Sequence, residues 1–324
     1  MTKAIRIKSH GGPEVMQWEK VDVPAPGPGE ALIRHTAIGL NFVDTYYRSG
    51  LYPLPLPAIL GSEGMGVIEA VGPGVSEFHA GDRVAYCSGP IGSYAEARVM
   101  PADRLVKLPD GIDDKQAASM MLKGLTAHYL IRTTYRVKSG DTILFHAAAG
   151  GVGLILGQWA KHLGATVIGT AGSAEKAKLA KAHGYDHVIL YREANFVDEV
   201  KKITGGAGLP VVYDGVGKDT FMASLDCLQP RGLMVSFGNA SGPVAPFPLT
   251  VLSQKGSLYL TRPTLGTHIA KREDMVNAAS ELFDVVLKGA VRVQVNQTYM
   301  LKDAARAHAD LEARKTTGST VMVV

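Results

Sequence analysis

Residues 142–153 read TILFHAAAGGVG, and the order of elements that they predict decides the fold. An apolar strand over 142–146 is followed by a turn of small residues, AAAGGVG, over 147–153. A helix over 151–163 comes next, because its large apolar residues recur at helical spacing and Gly164 ends it. A glycine-rich turn in this position lets backbone N–H groups approach a pyrophosphate at the start of the helix.

The glycines of this turn have separate tasks. Gly150 and Gly151 permit a tight turn and a close approach, and Gly153 lets the helix pack on the strand. The first position of the G-x-G-x-x-G pattern is alanine here, so the motif alone fits an ordinary turn between strand and helix equally well. The elements that follow favour the nucleotide-binding interpretation.

Strands and helices alternate after this turn. Strands are predicted over 166–170, 187–190, 211–214, 233–237 and 257–260, and helices over 173–183, 196–203 and 220–228. This alternation predicts a parallel sheet with helices on both faces. With right-handed crossovers it becomes a doubly wound, nucleotide-binding α/β fold.

The two ends of the chain have a different pattern. The first third is rich in glycine and proline, with short strands predicted over 31–39, 66–71 and 83–86, which indicates a mostly β domain. The last 60 residues predict a helix over 273–287, a strand over 291–295, a helix over 303–313 and a strand over 320–324. We expect this tail to pack on the first domain, so that 1–124 and 265–324 form one discontinuous domain and 125–264 form the other.

Composition narrows the class of protein. The 324 residues carry a formal net charge of +4, without a block of like charges or a basic stripe interleaved with aromatics, which argues against nucleic-acid binding. Cys87 and Cys227 form no C-x-x-C pair, so we expect no disulfide framework. We expect a cytoplasmic location instead. The N-terminus alternates and carries charge, unlike a signal peptide, and no run approaches the roughly 18 apolar residues of a membrane span.

The end of the second strand favours NADPH over NADH. Enzymes that use NAD often place an acid there to bind the ribose 2′-hydroxyl. This chain has Gly172 and Ser173 instead, and Lys176 follows in the first turn of the next helix. A 2′-phosphate would offset the unfavourable position of a cation at a helix N-terminus. Tyr191 could add a contact; the alternative is that Lys176 simply points to solvent.

These residues resemble the medium-chain dehydrogenase/reductase superfamily, and within it the quinone oxidoreductases of the zeta-crystallin-like branch. The resemblance covers essentially the whole chain. The matching runs are GGPEV over 11–15, NFVD over 41–44, GSEG over 61–64, GDRV over 81–84, AAAGGVG over 147–153, YD over 213–214 and FGN over 237–239. It implies a Rossmann domain with a doubly wound parallel sheet, a discontinuous, mostly β, GroES-like catalytic domain, and a homodimer, sometimes a tetramer, joined through the Rossmann sheets.

The resemblance also bears on zinc. The alcohol-dehydrogenase branch binds catalytic zinc with two cysteines and a histidine, which fall at Asn41, Ser62 and near Leu122 in this chain. None of the three is a cysteine or a histidine, and the four-cysteine structural lobe is missing. We therefore expect no metal, and we expect no alcohol oxidation by metal-assisted deprotonation.

Cofactor contacts carry over from the family position by position. Asn41 would contact the nicotinamide ribose region, and Arg314 would reach the adenosine phosphate. The remaining positions implied to bind NADPH are Thr126, Gly150, Gly151, Val152, Gly153, Gly172, Ser173, Lys176, Tyr191, Gly215, Val216, Phe237, Gly238 and Asn239.

The expected function is zinc-independent transfer of a hydride, or of single electrons, from NADPH to a small quinone. Asn41, Tyr46, Tyr52 and Arg262 are the candidate catalytic residues; plain packing is the alternative for the tyrosines, and an interface role is the alternative for Arg262. No residue stands out as a catalytic acid. The other candidate functions are NADPH-dependent reduction of an enoyl or alkenal acceptor and a non-enzymatic role, nucleic-acid binding or structural, like that of some zeta-crystallin relatives.

Overall fold

The computed structural model describes residues 2–324, which divide into two compact units. The first unit contains the described residues up to Leu125 together with Ile269–Leu287 and Val293–Val324. The second contains Thr126–His268 and Lys288–Arg292. No helix among residues 2–324 is long and apolar enough to cross a membrane.

The chain begins with short strands and two helices. In order, these elements are β1 (Thr2–Ile7), β2 (Gln17–Val21), β3 (Glu30–Leu40), α1 (Phe42–Ser49), β4 (Ala58–Ile59), β5 (Glu63–Val71), β6 (Arg83–Cys87), β7 (Ala97–Pro101), β8 (Val106–Lys107) and α2 (Asp114–Tyr129). Asp113 precedes α2, and its carboxylate accepts hydrogen bonds from the N–H groups of Lys115 and Gln116, which is a typical N-cap.

Regular alternation follows in the second unit. Its elements are β9 (Thr142–Phe145), α3 (Gly151–His162), β10 (Thr166–Ala171), α4 (Ala174–Lys181), β11 (His187–Leu190), α5 (Phe196–Ile203), β12 (Leu209–Asp214), α6 (Phe221–Ser224), β13 (Leu228–Ser236), α7 (Thr250–Gln254), β14 (Tyr259–Thr261) and α8 (Leu265–His268).

The tail closes the first unit. It contains α9 (Arg272–Leu287), β15 (Val295–Met300), α10 (Ala304–Glu312) and β16 (Ser319–Val323). Single turns of 3-10 helix lie at Pro13–Val15, Ala102–Arg104, Leu225–Cys227 and Leu301–Asp303, and a π turn lies at Leu130–Thr134.

The second unit contains a parallel sheet in the order β11-β10-β9-β12-β13-β14. Numbered from β9, this is the order 3-2-1-4-5-6 of dinucleotide-binding folds. The chain adds strands towards one side of the sheet from β9 to β11 and towards the other side from β12 to β14, so the order reverses between β9 and β12. Ligands bind such sheets at this point, outside the carboxyl ends of the strands. Buried apolar side chains from the strands, including Leu144, Ile168, Val212 and Met234, pack under the helices.

The first unit is mostly β. Seven strands form one sheet, in the order β15-β16-β3-β5-β6-β8 with β7 paired to β3, and β2-β1-β4 form a second. Strand β16 pairs antiparallel with β3, so the end of the chain is built into the sheet of the first third. The predicted fold class, a doubly wound parallel sheet with a discontinuous, mostly β unit, is confirmed.

Two sequence predictions are wrong in detail. The strand expected over 291–295 lies instead at Val295–Met300, where the exposure of successive residues alternates along a sheet edge. The helix expected over 220–228 is only Phe221–Ser224 and a 3-10 turn, because β13 already begins at Leu228. The strand was predicted too early because it was located by apolar residues alone, and the apolar Val291 and Val293 are buried outside any strand.

A buried histidine joins α10 to the rest of the first unit. The Arg48 guanidinium donates to His308 Nδ1 over 2.9 Å, and the Tyr94 hydroxyl lies 3.0 Å from Nε2. Because Tyr94 donates its own proton to Asp44 Oδ2 over 2.9 Å, Nε2 carries the ring proton and donates to the Tyr94 oxygen. The imidazole is therefore neutral. Burial, and then the charge of Arg48, lowers the pKa of His308 to about 3.

This neutral histidine makes folding sensitive to acid. In the unfolded chain its pKa is near 6.5, so the unfolded state binds more protons and stability falls as the pH drops from about 6.5 towards 3. His308→Gln keeps an acceptor and a donor but does not titrate. We expect the slope of the free energy of unfolding against pH to decrease by up to about 1.4 kcal/mol per pH unit near pH 5.

Urea denaturation across this pH range measures that slope. The exposed His10 provides the control, since His10→Gln should leave the slope unchanged. An equal slope in wild type and His308→Gln would show that the ring is not held neutral.

Candidate functional site

The turn between β9 and α3 is as tight as its sequence predicts. Ala147 has a left-handed backbone with φ of 59°, which is uncommon for a residue other than glycine. The Gly150 N–H donates to the Ala147 carbonyl over 2.9 Å. A Cβ on Gly153 would lie 2.5 Å from the Ala148 carbonyl oxygen, so only glycine lets α3 start this close to the strand.

The start of α3 suits a diphosphate. Gly150 is the N-cap, and the N–H groups of Gly151, Val152 and Gly153 belong to the first helical turn, where an α-helix has no carbonyl partners of its own. The helix dipole adds positive potential at the same end. The backbone N–H groups of the turn and of the first helical turn can therefore donate to the negative oxygens of a diphosphate.

Residues around the end of β10 also come together. Ser173 is the N-cap of α4, and its Oγ accepts a hydrogen bond from the Lys176 N–H over 3.3 Å. The Tyr191 hydroxyl lies over Gly172, where an added Cβ would be 2.6 Å from it. Gly172, Ser173, Lys176 and Tyr191 therefore lie close together in the chain path around the end of β10, and Glu175 is the nearest acid in sequence, inside α4.

A buried carboxylate shapes the loop after β12. Asp214 accepts hydrogen bonds from the N–H groups of Val216 and Gly217, over 2.7 and 3.0 Å, and from Thr220 Oγ1 over 2.7 Å. Asp214 is fully buried. It therefore fixes the path of Gly215 and Val216 at the carboxyl edge of the sheet. Its sequence signal was its place at the end of a predicted strand, but its role is visible only in the structure.

The loop after β13 lies directly against this one. A Cβ on Gly238 would be 2.5 Å from the Gly215 carbonyl oxygen, and the Phe237 ring packs on Gly215. Ser241 donates to the Val216 carbonyl over 2.9 Å. The five residues predicted here, Gly215, Val216, Phe237, Gly238 and Asn239, form one continuous surface at the edge where ligands bind such sheets.

A cavity of about 480 Å³ opens beside Asn239. Ser236, Asn239 and Arg262 supply its polar groups, and Phe221, Val244, Phe247 and Leu260 are among its apolar walls. Its volume falls in the range of small-molecule sites, and so does its mixture of apolar walls with a few polar groups. The structure thus brings the predicted residues Asn239 and Arg262 to the same cavity, after the ends of β13 and β14.

In the first unit, three of the candidate catalytic residues belong to one local structure. Asn41 precedes α1, and its backbone N–H donates to Asp44 Oδ2 over 2.9 Å. The rings of Tyr46 and Tyr52 meet edge to face with centroids 5.2 Å apart, and the Tyr52 N–H donates to the Tyr46 carbonyl over 3.1 Å. Asn41, Tyr46 and Tyr52 therefore lie at and around α1.

A buried carboxylate holds the side chain of Asn41. Glu63 Oε2 accepts from Asn41 Nδ2 over 2.8 Å and from Lys123 Nζ over 3.3 Å, and Oε1 accepts from the Leu122 N–H over 2.8 Å. Glu63 has no exposed side-chain surface, and the Lys123 side chain is 8% exposed. Glu63 belongs to the GSEG motif over 61–64, whereas no motif in the sequence marks Lys123 as part of a site.

Asp44 is the second buried acid of this cluster. Burial raises its pKa to about 6, against hydrogen bonds from Ser62, Asn41 and Tyr94 and the charge of Lys123, which all lower it. Ser62 Oγ donates to Asp44 Oδ1 over 2.6 Å. The three positions where zinc ligands fall in the alcohol-dehydrogenase branch, 41, 62 and 122, thus take part in hydrogen bonds to Glu63 and Asp44.

Within residues 2–324, no group of three or more histidine, cysteine, aspartate and glutamate residues could hold a metal ion. Two predicted cofactor residues remain to be placed. Thr126 lies in α2 and is the first residue of the second unit, and Arg314 follows α10 in the first unit with a left-handed φ of 58°.

Two sequence families match the chain. Residues 27–110 match the family described as an alcohol dehydrogenase GroES-like domain, and residues 151–284 match the family described as a zinc-binding dehydrogenase. A quinone oxidoreductase from Pseudomonas aeruginosa is 56% identical over 324 residues, covering all of both chains. The chain belongs to the quinone oxidoreductase family. This family is part of the medium-chain dehydrogenase/reductase superfamily, as the sequence motifs predicted.

A solved structure and a second kind of relative complete the comparison. An Escherichia coli quinone oxidoreductase complexed with NADPH superimposes with a TM-score of 0.98 at 50% identity, over 99% of this chain and 100% of the other. A 2-haloacrylate reductase from Burkholderia is 46% identical, over 100% of this chain and 99% of its own. Family members of this similarity thus include enzymes named for two different acceptors.

Proposed function

We propose that this protein is a zinc-independent NADPH:quinone oxidoreductase. The observation that carries the proposal is the acid-free turn at the end of β10, where Ser173 caps α4 by accepting from the Lys176 N–H and the Tyr191 hydroxyl lies beside Gly172. It accommodates a ribose 2′-phosphate and offers it a cation, which an NAD site with a carboxylate does not. The quinone oxidoreductases of the same family, one of them solved with NADPH, support the same cofactor and acceptor.

The residues of the chain divide the work of binding. The turn of residues 150–153 and the α3 N-terminus hold the diphosphate, and Lys176 neutralises the 2′-phosphate. Thr126 and the loops after β12 and β13, all in the second unit, hold the nicotinamide half. When bound, NADPH supplies the hydride, and the protein contributes position and electrostatics.

The acceptor requires a flat, apolar space. The cavity beside Asn239 and Arg262 in the second unit offers such a space, with Phe221, Val244 and Phe247 among its apolar walls. In the first unit, Tyr46 and Tyr52 pack edge to face beside α1 and are candidate catalytic residues. We propose that the first unit serves as the catalytic domain and the second as the NADPH-binding domain. A quinone is already electrophilic, so little activation beyond stabilisation of the developing negative charge is needed.

Reduction of an activated alkene is the second candidate. The observation that favours it is the 46% identity to a 2-haloacrylate reductase over the whole chain. Both reactions deliver hydride to an electron-poor double bond that is conjugated with a carbonyl or carboxyl group. The two candidate functions therefore differ only in which acceptor the protein reduces. A cytoplasmic location fits either reaction, and Cys87 and Cys227 are both free thiols.

Turnover distinguishes the two candidates. We expect the purified protein to oxidise NADPH with 1,4-benzoquinone, to prefer NADPH to NADH, and to lose no activity in a chelator, measured by the absorbance of NADPH. Turnover of an α,β-unsaturated ketone without turnover of benzoquinone would contradict quinone reduction and support the second candidate. Inhibition by the chelator would contradict zinc independence.

The choice of cofactor has a specific test. Lys176→Ala is expected to weaken NADPH binding by more than about tenfold, because a hydrogen bond to a charged group contributes about 1.5–3 kcal/mol. Binding of NADH, which has no 2′-phosphate, should change by less than about twofold. Fluorescence titration measures both dissociation constants. The exposed Lys178 on the same helix gives a matched control, Lys178→Ala, and equal losses for the two cofactors would refute a contact between Lys176 and the phosphate.

We also propose a homodimer formed through β14. This strand is the last of the parallel sheet and pairs only with β13 among the described residues, so its other edge has unpaired backbone groups. Tyr259 on this strand is 62% exposed, and Leu249, directly before α7, is 76% exposed. A second copy would cover these side chains through a two-fold axis.

Sedimentation velocity tests this assembly. The wild type is expected to sediment as two chains, and Tyr259→Lys combined with Leu249→Lys is expected to sediment as one, because two buried charges would oppose association. Met300→Lys, at an exposed position in the first unit, is the control and should remain dimeric. A monomeric wild type would contradict the proposed dimer.

A further inference from the structure

The hydrogen bonds of Glu63 leave donors to spare. Its Oε2 is shared by Asn41 Nδ2 and Lys123 Nζ, so the two nitrogens lie side by side on one oxygen. An ammonium has three N–H groups and a carboxamide has two. Among residues 2–324, Glu63 is the one side chain that accepts a hydrogen bond from Lys123. At least two N–H groups of Lys123 therefore have no protein acceptor.

Spare donors on a buried cation are unfavourable unless something accepts them. The Lys123 side chain is 8% exposed, and an unmet N–H on a buried charged group costs free energy. An oxygen of a bound ligand would accept these hydrogen bonds, and a negatively charged oxygen would accept them best. Asn41, which is predicted to contact the nicotinamide end of the cofactor, donates a hydrogen bond to the same carboxylate oxygen.

We propose that Lys123 is the catalytic acid of the reduction and that Glu63 is its positioning residue. The inference rests on the proposed function, because it assigns the proton that quinone reduction consumes. Two electrons and one proton reach the acceptor as hydride, which leaves negative charge on the acceptor oxygen. Lys123 Nζ gives a proton to that oxygen, an O–H bond forms, and an N–H bond breaks. The neutral amine then takes a proton from water.

Glu63 and Asn41 complete this arrangement. The carboxylate accepts one hydrogen bond from Lys123 Nζ and so fixes the direction of the ammonium. Asn41 Nδ2 has a second N–H available to the same acceptor oxygen, so the two residues together form a pair of donors for a developing negative charge. The backbone N–H of Leu122 holds the other oxygen of Glu63 and prevents the carboxylate from turning away.

The first test compares acceptors in Lys123→Met. A general acid contributes about 10²–10⁴-fold, and the contribution grows as the oxygen to be protonated becomes more basic. The enolate formed from an enone is more basic than the hydroquinone monoanion. We expect turnover to fall about 10²-fold with 1,4-benzoquinone and further with an enone, while NADPH binding changes by less than about threefold.

Two variants control this comparison. Lys115 lies on the same helix and is exposed, so Lys115→Met should leave both rates unchanged. Lys123→Ala removes the amine and leaves space, and added ethylammonium should restore part of its activity. Equal losses for both acceptors, or no rescue by the amine, would overturn the assignment of Lys123 as the acid.

A binding measurement tests the inference without turnover. The probe is 4-nitrophenol in the presence of NADP⁺, since its anion absorbs visible light and resembles the product anion. We expect the bound probe to be more ionised in the wild type than in Lys123→Met, because the ammonium stabilises the phenolate. Equal ionisation in both proteins would overturn the inference. A wild type that reduces neither acceptor would instead refute the proposed function, and the inference would fail with it.

Discussion

The site in the first unit depends on the buried carboxylate of Glu63. A carboxylate without exposure is costly unless it is fully hydrogen-bonded and paired. Asn41, Lys123 and the Leu122 N–H meet that requirement from three separate parts of the chain. Gly39 is part of the same solution, because a Cβ there would collide with the Glu63 carboxylate and the Ala118 carbonyl. The end of β3, the start of β5 and the middle of α2 are therefore fixed by one charged group.

The second unit depends on close approach of backbone instead of on charge. Gly153 against Ala148, and Gly238 against Gly215, are contacts that a single added Cβ would break. They bring the turns after β9, β12 and β13 into register at the carboxyl edge of the sheet, where the strand order reverses. Asp214 then fixes the loop between β12 and α6 by accepting its N–H groups. Close approach of the backbone also lets the N–H groups at the start of α3 reach this edge, where they can donate to a polar cofactor.

Local patterns in the sequence were sufficient for most of this second unit. The β9 strand, the glycine turn and the Ser173 cap each follow from residues within a short window, and the structure has them where they were predicted. The edge strand β15 was misplaced, because its polar residues alternate without a strong apolar period and tertiary pairing with β16 decides its position. The local sequence is enough to locate a turn, whereas the position of an edge strand depends on its pairing with a distant segment of the chain.

The Glu63 cluster could not be predicted in the same way. Glu63 and Lys123 are 60 residues apart, and no periodicity connects a strand residue to a helix residue at that distance. The lysine also lies in the buried part of α2, whereas a solvated cation is the usual expectation for a lysine in a sequence. The motif over 61–64 indicated that Glu63 mattered but not what it holds.

The charges of the first unit are coupled, and this coupling bears on proton transfer. The charge of Lys123 lowers the pKa of Asp44, which burial raises to about 6. When Lys123 becomes neutral that influence disappears, so the affinity of Asp44 for a proton increases. Asp44 in turn connects through Tyr94 to the neutral His308 and the buried Arg48. The charge of Lys123 and the protonation of Asp44 are therefore linked within the same buried hydrogen-bonded cluster of the first unit.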